Sequence, residues 1–282
     1  FQEAELVDNT PDLRIEAVNE GPDCLQIDRL KTSVEVSGDE DCLFLNIYTP
    51  DISTDSRMAV MIWLHGGNWK FGSGSEKMYG PHHILDKDVV LVTINYRLGP
   101  LGFSSFEDEL YPGNLGLKDQ RAAFLWVRRN IRPFGGDPDK VTLFGQSAGG
   151  ASVHFHMLSP MSAGLFRSCV SESGTALAPW ALAQPGQVRE KTLKLASMLN
   201  CSSSSLQFTI ECMSSVPAYK LIEAQQRFDL LDQELVLFRP VVEMPNIPGA
   251  VIIRDPWTSP QSTLPWITGV TSAEAALFAV RK

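Results

Sequence analysis

Residues 141–150 run from an apolar, β-prone stretch into a helical one through Gly145-Gln146-Ser147-Ala148-Gly149. A serine with glycine two residues away on either side, set in a strand-to-helix turn, reads as a nucleophile elbow. The chemistry needs this shape. The hydroxyl must stand clear of the carboxyl edge of a sheet, and side chains at positions 145 and 149 would clash within so tight a turn. The helix that follows aims its amino end at the same spot, where unbonded N–H groups favour developing negative charge. Taken alone, the five residues also fit a plain tight turn packed with small side chains. The strand, turn and helix context favours Ser147 as a nucleophile.

Such a turn needs a sheet, and the rest of the chain supplies one. Short apolar runs at 42–49, 58–64, 89–95, 141–145, 167–171 and 266–270 read as strands. They alternate with helical patterns, the signature of crossover units on a mostly parallel sheet. Residues 116–131 read as an amphipathic helix with Leu117, Phe124, Val127 and Ile131 on one face and Arg121, Arg128 and Arg129 elsewhere. Pro133 and the pair Gly135-Gly136 mark its end. From about Pro179 polar helical segments and the serine run 202–205 read as insertions around the sheet, the serine run as a solvated loop. No repeat or long linker divides the 282 residues, so one α/β domain over 1–282 is expected.

Composition narrows the function. With 24 Lys and Arg against 33 Asp and Glu, the net charge is −9. That balance speaks against nucleic acid, whose binding rests on neutralising phosphates. The longest apolar runs, such as 58–64, fall far short of the roughly 20 residues that a membrane helix requires, so no membrane span is expected. Five cysteines form no CxxC and no zinc-spaced pairing with histidine, so neither a metal nor a cofactor is expected. No signal-peptide pattern follows Phe1.

Upstream of the elbow, the run ending at Leu64 is followed at once by His65-Gly66-Gly67-Asn68-Trp69. A strand ending in a glycine pair lets backbone N–H groups approach a substrate oxygen closely, as an oxyanion hole requires. Gly67 and Asn68, with Ala148, are the candidate donors, and a plain glycine turn is the alternative. Taken with Glu40-Asp41-Cys42-Leu43-Phe44-Leu45-Asn46-Ile47-Tyr48, Asn95-Tyr96-Arg97 and Phe134-Gly135-Gly136-Asp137-Pro138, these motifs make the chain resemble the type-B carboxylesterase and cholinesterase family. Its texture is that of insect carboxylesterases and juvenile hormone esterases. The resemblance covers nearly the whole chain. It implies an α/β-hydrolase fold, a central mostly parallel sheet flanked by helices, with a Ser-His-Glu triad that hydrolyses small-molecule carboxylic esters.

By that resemblance Ser147 matches the nucleophile, and Gly67, Asn68 and Ala148 match three oxyanion donors. Glu274 matches the acid that orients the catalytic histidine, and Ser173 a hydroxyl near that acid. Trp180 and Phe238 match walls of the acyl pocket. Cys24 with Cys42 and Cys201 with Cys212 match the family's two short disulfide loops, which implies a secreted or luminal protein. Cys169, inside an apolar strand, reads as a buried free thiol. Asn200-Cys201-Ser202 fits the glycosylation acceptor pattern, which also arises by chance.

Two features depart from the pattern. The family base is a histidine beyond the acid, and none follows Glu274. His65 belongs to the oxyanion segment, His154 and His156 read as structural residues on the elbow helix, and His82 and His83 as members of a surface loop. Both ends are therefore expected to be cut, with Phe1 at an internal family position. An amino-terminal hairpin and a carboxyl-terminal half carrying a Gly-x-x-His segment are expected outside 1–282. The second departure is Asn68, which stands where most relatives have a third glycine. The leading expectation is a serine carboxylesterase. The rivals are an esterase-like adhesion or ligand-binding protein that has lost its triad, and a fragment that is the whole product and hydrolyses nothing.

Overall fold

The computed structural model describes residues 2–7, 16–27, 35–232 and 236–274. Phe1, Ala275 and Lys282 lie outside the described residues. Among the described residues six strands form one sheet: β1 (Leu45–Tyr48), β2 (Met58–Leu64), β3 (Val89–Ile94), β4 (Gly136–Gln146), β5 (Ser168–Glu172) and β6 (Trp266–Gly269). Their order is β1-β3-β2-β4-β5-β6, with β1 antiparallel at the edge and every other pairing parallel. The fold is an α/β hydrolase sheet flanked by helices.

All six expected strands are present: β2 matches end to end, β3, β5 and β6 differ by one residue at their ends, and β1 and β4 differ by more. β1 starts at Leu45 rather than at 42. Cys42 is held by its disulfide, and its carbonyl accepts from the Asn95 side chain and from the Phe44 N–H, which takes it out of the ladder. β4 begins five residues before 141, because Gly136 pairs with Met58 across an irregularity in register.

Helix α3 (Leu115–Asn130) lies one residue from its expected place. Its Phe124 and Val127, with Ile131 just beyond, pack against Val60, Ile62, Val90, Val92 and Leu143 of the sheet. The inner strands β2 and β3 are nearly continuous apolar runs, as expected of parallel strands buried on both faces. The first turn of α3 differs from a simple apolar face, since Lys118, Asp119 and Gln120 are buried there. Each has a partner: Lys118 pairs with Glu243, Asp119 takes a two-pronged bond from Arg97, and Gln120 meets His156.

The remaining helices are α1 (Glu76–Tyr79), α2 (Gly99–Phe103), α4 (Ala148–Leu158), α5 (Gln187–Met198), α6 (Leu206–Ser215) and α7 (Ala218–Asp232). Helices α5 to α7 fill the stretch that reads as insertions, and they close a second apolar cluster around Trp69, Tyr96, Phe103, Phe228 and Phe238. Both expected disulfides form, Cys24–Cys42 and Cys201–Cys212. Cys169 on β5 is free and buried, and burial pushes its thiol up to about 12. Among the described residues no helix is long and apolar enough to cross a membrane.

The chain order fixes where a site can form. From β2 the chain steps to β3 on one side and then returns past β2 to β4 on the other. Between the carboxyl ends of β2 and β4 the connections diverge, and a crevice opens there in sheets of this kind.

Candidate active site

The elbow stands at that point of the sheet, just beyond β4. Ser147 follows β4 and caps α4 with φ 56 and ψ −120. A left-handed φ at a residue with a Cβ is strained, and the surroundings hold it. Its N–H donates to the Glu172 carbonyl at 2.8 Å, and its carbonyl accepts from Ala151 N–H at 2.9 Å. Three glycines leave the required room. A Cβ on Gly149 would meet the Leu64 carbonyl oxygen at 2.0 Å, one on Gly145 the same oxygen at 2.7 Å, and one on Gly174 the Ser147 oxygen at 2.1 Å. Gly174 is a supporting residue with no signal of its own in the local sequence.

The glycine turn after β2 lies against the elbow. A Cβ on Gly66 would stand 3.3 Å from the Ser147 Cβ and 2.6 Å from the Gln146 side-chain oxygen. Gly67, Asn68 and Trp69 then take φ values of 107, 59 and 53, one left-handed turn in which the Gly67 carbonyl accepts from Lys70 and Phe71 N–H. Asn68 is thus a residue that tolerates the left-handed region in a place where glycine would also serve. Among the described residues no acceptor takes the N–H of Gly67 or Asn68. The Ala148 N–H, at the first position of α4, has no acceptor within its helix. The N–H groups of Gly67, Asn68 and Ala148 are thereby left without an acceptor, the last of them at the amino end of α4.

Glu274 follows β6 by five residues. Trp266 Nε1–H donates to Ser171 Oγ at 3.1 Å, and that hydroxyl donates to the Gly150 carbonyl at 2.9 Å, which ties β6 through β5 to α4. Ser173 N–H donates to the Gly269 carbonyl at 2.8 Å. Beyond Gly269, the Thr271 N–H and hydroxyl donate to Glu274 Oε2 at 2.9 and 2.6 Å. The Thr271 and Ser173 hydroxyls, with the Thr271 N–H, hold the Glu274 carboxyl below the usual range, so it is a carboxylate at neutral pH.

The structure therefore brings Ser173 to Glu274, and Gly67, Asn68 and Ala148 to the neighbourhood of Ser147. The Trp180 ring lies tilted against Trp69 beside the glycine turn, with centroids 5.8 Å apart, while Phe238 is fully buried in the same apolar cluster. Asn200 is exposed, with φ 60, just before the Cys201–Cys212 bond.

The histidines do not complete the site. Among the described residues none of them hydrogen-bonds Ser147. His65 is buried, stacks on Tyr96 at 4.3 Å and is pushed down to about 4 by burial. His154 accepts from Ala176 N–H at 3.3 Å and lies against Trp266. His156 has both ring nitrogens engaged, with Ser162 and Gln120, each at 2.9 Å. No cluster of three or more His, Cys, Asp or Glu able to hold a metal occurs among the described residues.

Comparison with known proteins shows the family. Residues 1–282 match the family described as the carboxylesterase family. A carboxylic ester hydrolase of Bombus ignitus is 43% identical over 266 residues, covering 92% of this chain and 46% of that protein. A juvenile hormone esterase of Tribolium castaneum is 39% identical over 274 residues, covering 94% and 47%. The crystal structure of juvenile hormone esterase from Manduca sexta, with OTFP covalently attached, superposes with a TM-score of 0.78 at 36% identity, covering 84% of this chain and 46% of that one. The chain spans about half the length of the relatives it matches.

Proposed function

The chain belongs to the carboxylesterase family, and on that premise we propose that its protein is a serine hydrolase of small carboxylic esters. Ser147 Oγ attacks the ester carbonyl, giving up its proton to a histidine supplied from outside residues 1–282. The alkoxide-like oxygen of the tetrahedral intermediate accepts from the N–H groups of Gly67, Asn68 and Ala148. Collapse expels the alcohol, which takes the proton back from the imidazolium and leaves an acyl-serine, and water then releases the acid by the same steps in reverse roles. Glu274, kept ionised by Thr271 and Ser173, steadies the imidazolium. Trp180 and Phe238 border the acyl group. Residues 1–282 act as one domain. The two disulfides support a secreted or luminal protein, with Asn200 open to a glycan.

The observation that carries this reading is the strained Ser147 backbone set beside three unclaimed amides. A diisopropyl fluorophosphate adduct on Ser147 in the full-length protein, located by mass spectrometry of the tryptic peptide, is the expected result. An unlabelled Ser147 in folded protein sinks the reading. The alternative, a non-catalytic ligand-binding relative, draws on the absence of any described histidine at Ser147. It predicts no adduct and no turnover of p-nitrophenyl acetate.

A further inference from the structure

We propose that Ser152 is a positioning residue that sets the two halves of the oxyanion hole against each other through Trp69; the proposal rests on the reading of Gly67, Asn68 and Ala148 as donors. The starting observation is strain. Three consecutive residues, Gly67 to Trp69, have positive φ. Glycine adopts this freely and asparagine tolerates it, but for a bulky indole-bearing residue it is an outlier with no local compensation. A turn of this kind relaxes unless its surroundings over-determine it.

The surroundings do so at one atom. The Trp69 side chain is fully buried between Phe103 and Trp180, each with its ring centroid at 5.8 Å. Its Nε1–H donates to Ser152 Oγ at 2.9 Å. Ser152 lies on α4 and donates its own proton to the Ala148 carbonyl, also at 2.9 Å. A single hydroxyl therefore accepts from the turn that carries two candidate donors and donates to the residue that carries the third. Shifting it moves the loop amides and the helix amide relative to each other.

A buried relay fixes that hydroxyl in turn. Gln120 Nε2 on α3 donates to Ser152 Oγ at 3.4 Å, and Gln120 Oε1 accepts from His156 Nε2 at 2.9 Å. The remaining His156 nitrogen, Nδ1, then accepts from the Ser162 hydroxyl at 2.9 Å. Ser152, Gln120, His156 and Ser162 are all buried. With His156 protonated at Nε2, each donor in the relay has an acceptor in a single consistent direction. A helix serine bonded to the carbonyl four residues back is ordinarily a weak local feature. Here the same oxygen reaches across to a segment 83 residues earlier in the chain.

The test uses the full-length protein and the variants Trp69→Phe, Ser152→Ala and the pair together. Each single variant is expected to lower kcat for p-nitrophenyl acetate by between about tenfold and a hundredfold, since misplaced oxyanion donors act on the transition state. KM is expected to stay within about twofold, because ground-state binding is untouched. Affinity for a trifluoromethyl ketone, whose serine adduct carries the oxyanion, falls by the same factor as kcat. The double variant is expected to be no worse than either single one. Trp69→Phe keeps one aromatic ring in the buried slot while losing the N–H donor with the smaller ring of the indole, so it serves where Ser152→Ala fails to fold. Wild-type kcat in the folded variants, or independent effects that multiply in the pair, overturns the proposal while leaving the esterase reading intact. A wild-type protein that neither turns over ester nor is labelled at Ser147 overturns the reading and this proposal together.

Discussion

Ser147 and Trp69 store backbone strain beyond the carboxyl ends of the neighbouring strands β4 and β2, and the cost is met by glycines that let neighbouring main chain come close. Gly174→Ala tests this at the scale of one methyl group. The added carbon would meet the Ser147 carbonyl oxygen at 2.1 Å, whereas at Gly269 nothing lies within 4 Å. Gly174→Ala is expected to lower stability by about 2 kcal/mol or more, or to unseat Ser147 and abolish organophosphate labelling. Gly269→Ala is expected to leave both within error. Chemical denaturation and labelling of the two variants side by side check the contrast. Ser147 was legible in the sequence because its motif is local. Glu274 and Ser173 were legible only through resemblance, since an acid after a strand has no pattern of its own. Ser152, Gln120 and Gly174 act across segments tens of residues apart, and no short window of sequence holds both partners.

At the scale of elements, burial on both faces made the strands readable, as in β2, whose apolar run matches Met58–Leu64 end to end. The ends failed where something other than hydrophobicity decided them: a disulfide at Cys42, and a pairing of Gly136 with Met58 ahead of the apolar part of β4. For α3 the apolar stripe was evident, while the buried polar first turn was not, because its partners come from distant loops. Phe124 is the hinge of that stripe, fully buried and edge-on to both His156 and Phe166. Phe124→Ala is expected to cost about 3–5 kcal/mol, seen as a lower urea midpoint. Between α5 and α6, the Cys201–Cys212 bond closes a loop of sequence separation 11. Replacing both cysteines by serine is expected to cost up to about 3 kcal/mol and to lower Tm without altering the far-ultraviolet circular dichroism.

Across the whole molecule, buried imidazoles set the response to acid. Burial pushes His65 down to about 4 and His156 down to about 3, from 6.5 in the unfolded chain. Between about pH 6.5 and 4 the unfolded state therefore binds protons that the folded state refuses. Stability is unaffected by these groups above that window and is lost as pH falls through it, by up to roughly 1.4 kcal/mol per pH unit for each histidine. His156→Gln, which cannot take up a proton, is expected to make the decline of the urea midpoint between about pH 6.5 and 4.5 shallower by about one proton.

The same interior contains a reporter that no chemist needs to install. Cys169 points into the sheet core with its sulfur protonated at any working pH, while every other cysteine is locked in a disulfide. A thiol reagent such as dithionitrobenzoate should therefore ignore the native protein and react only when β5 peels open. Its rate becomes a clock for breathing of the strand that lies between β4 and β6. A ligand seated at Ser147 should slow that clock, whereas rapid modification of unliganded native protein at pH 7 would contradict the buried placement.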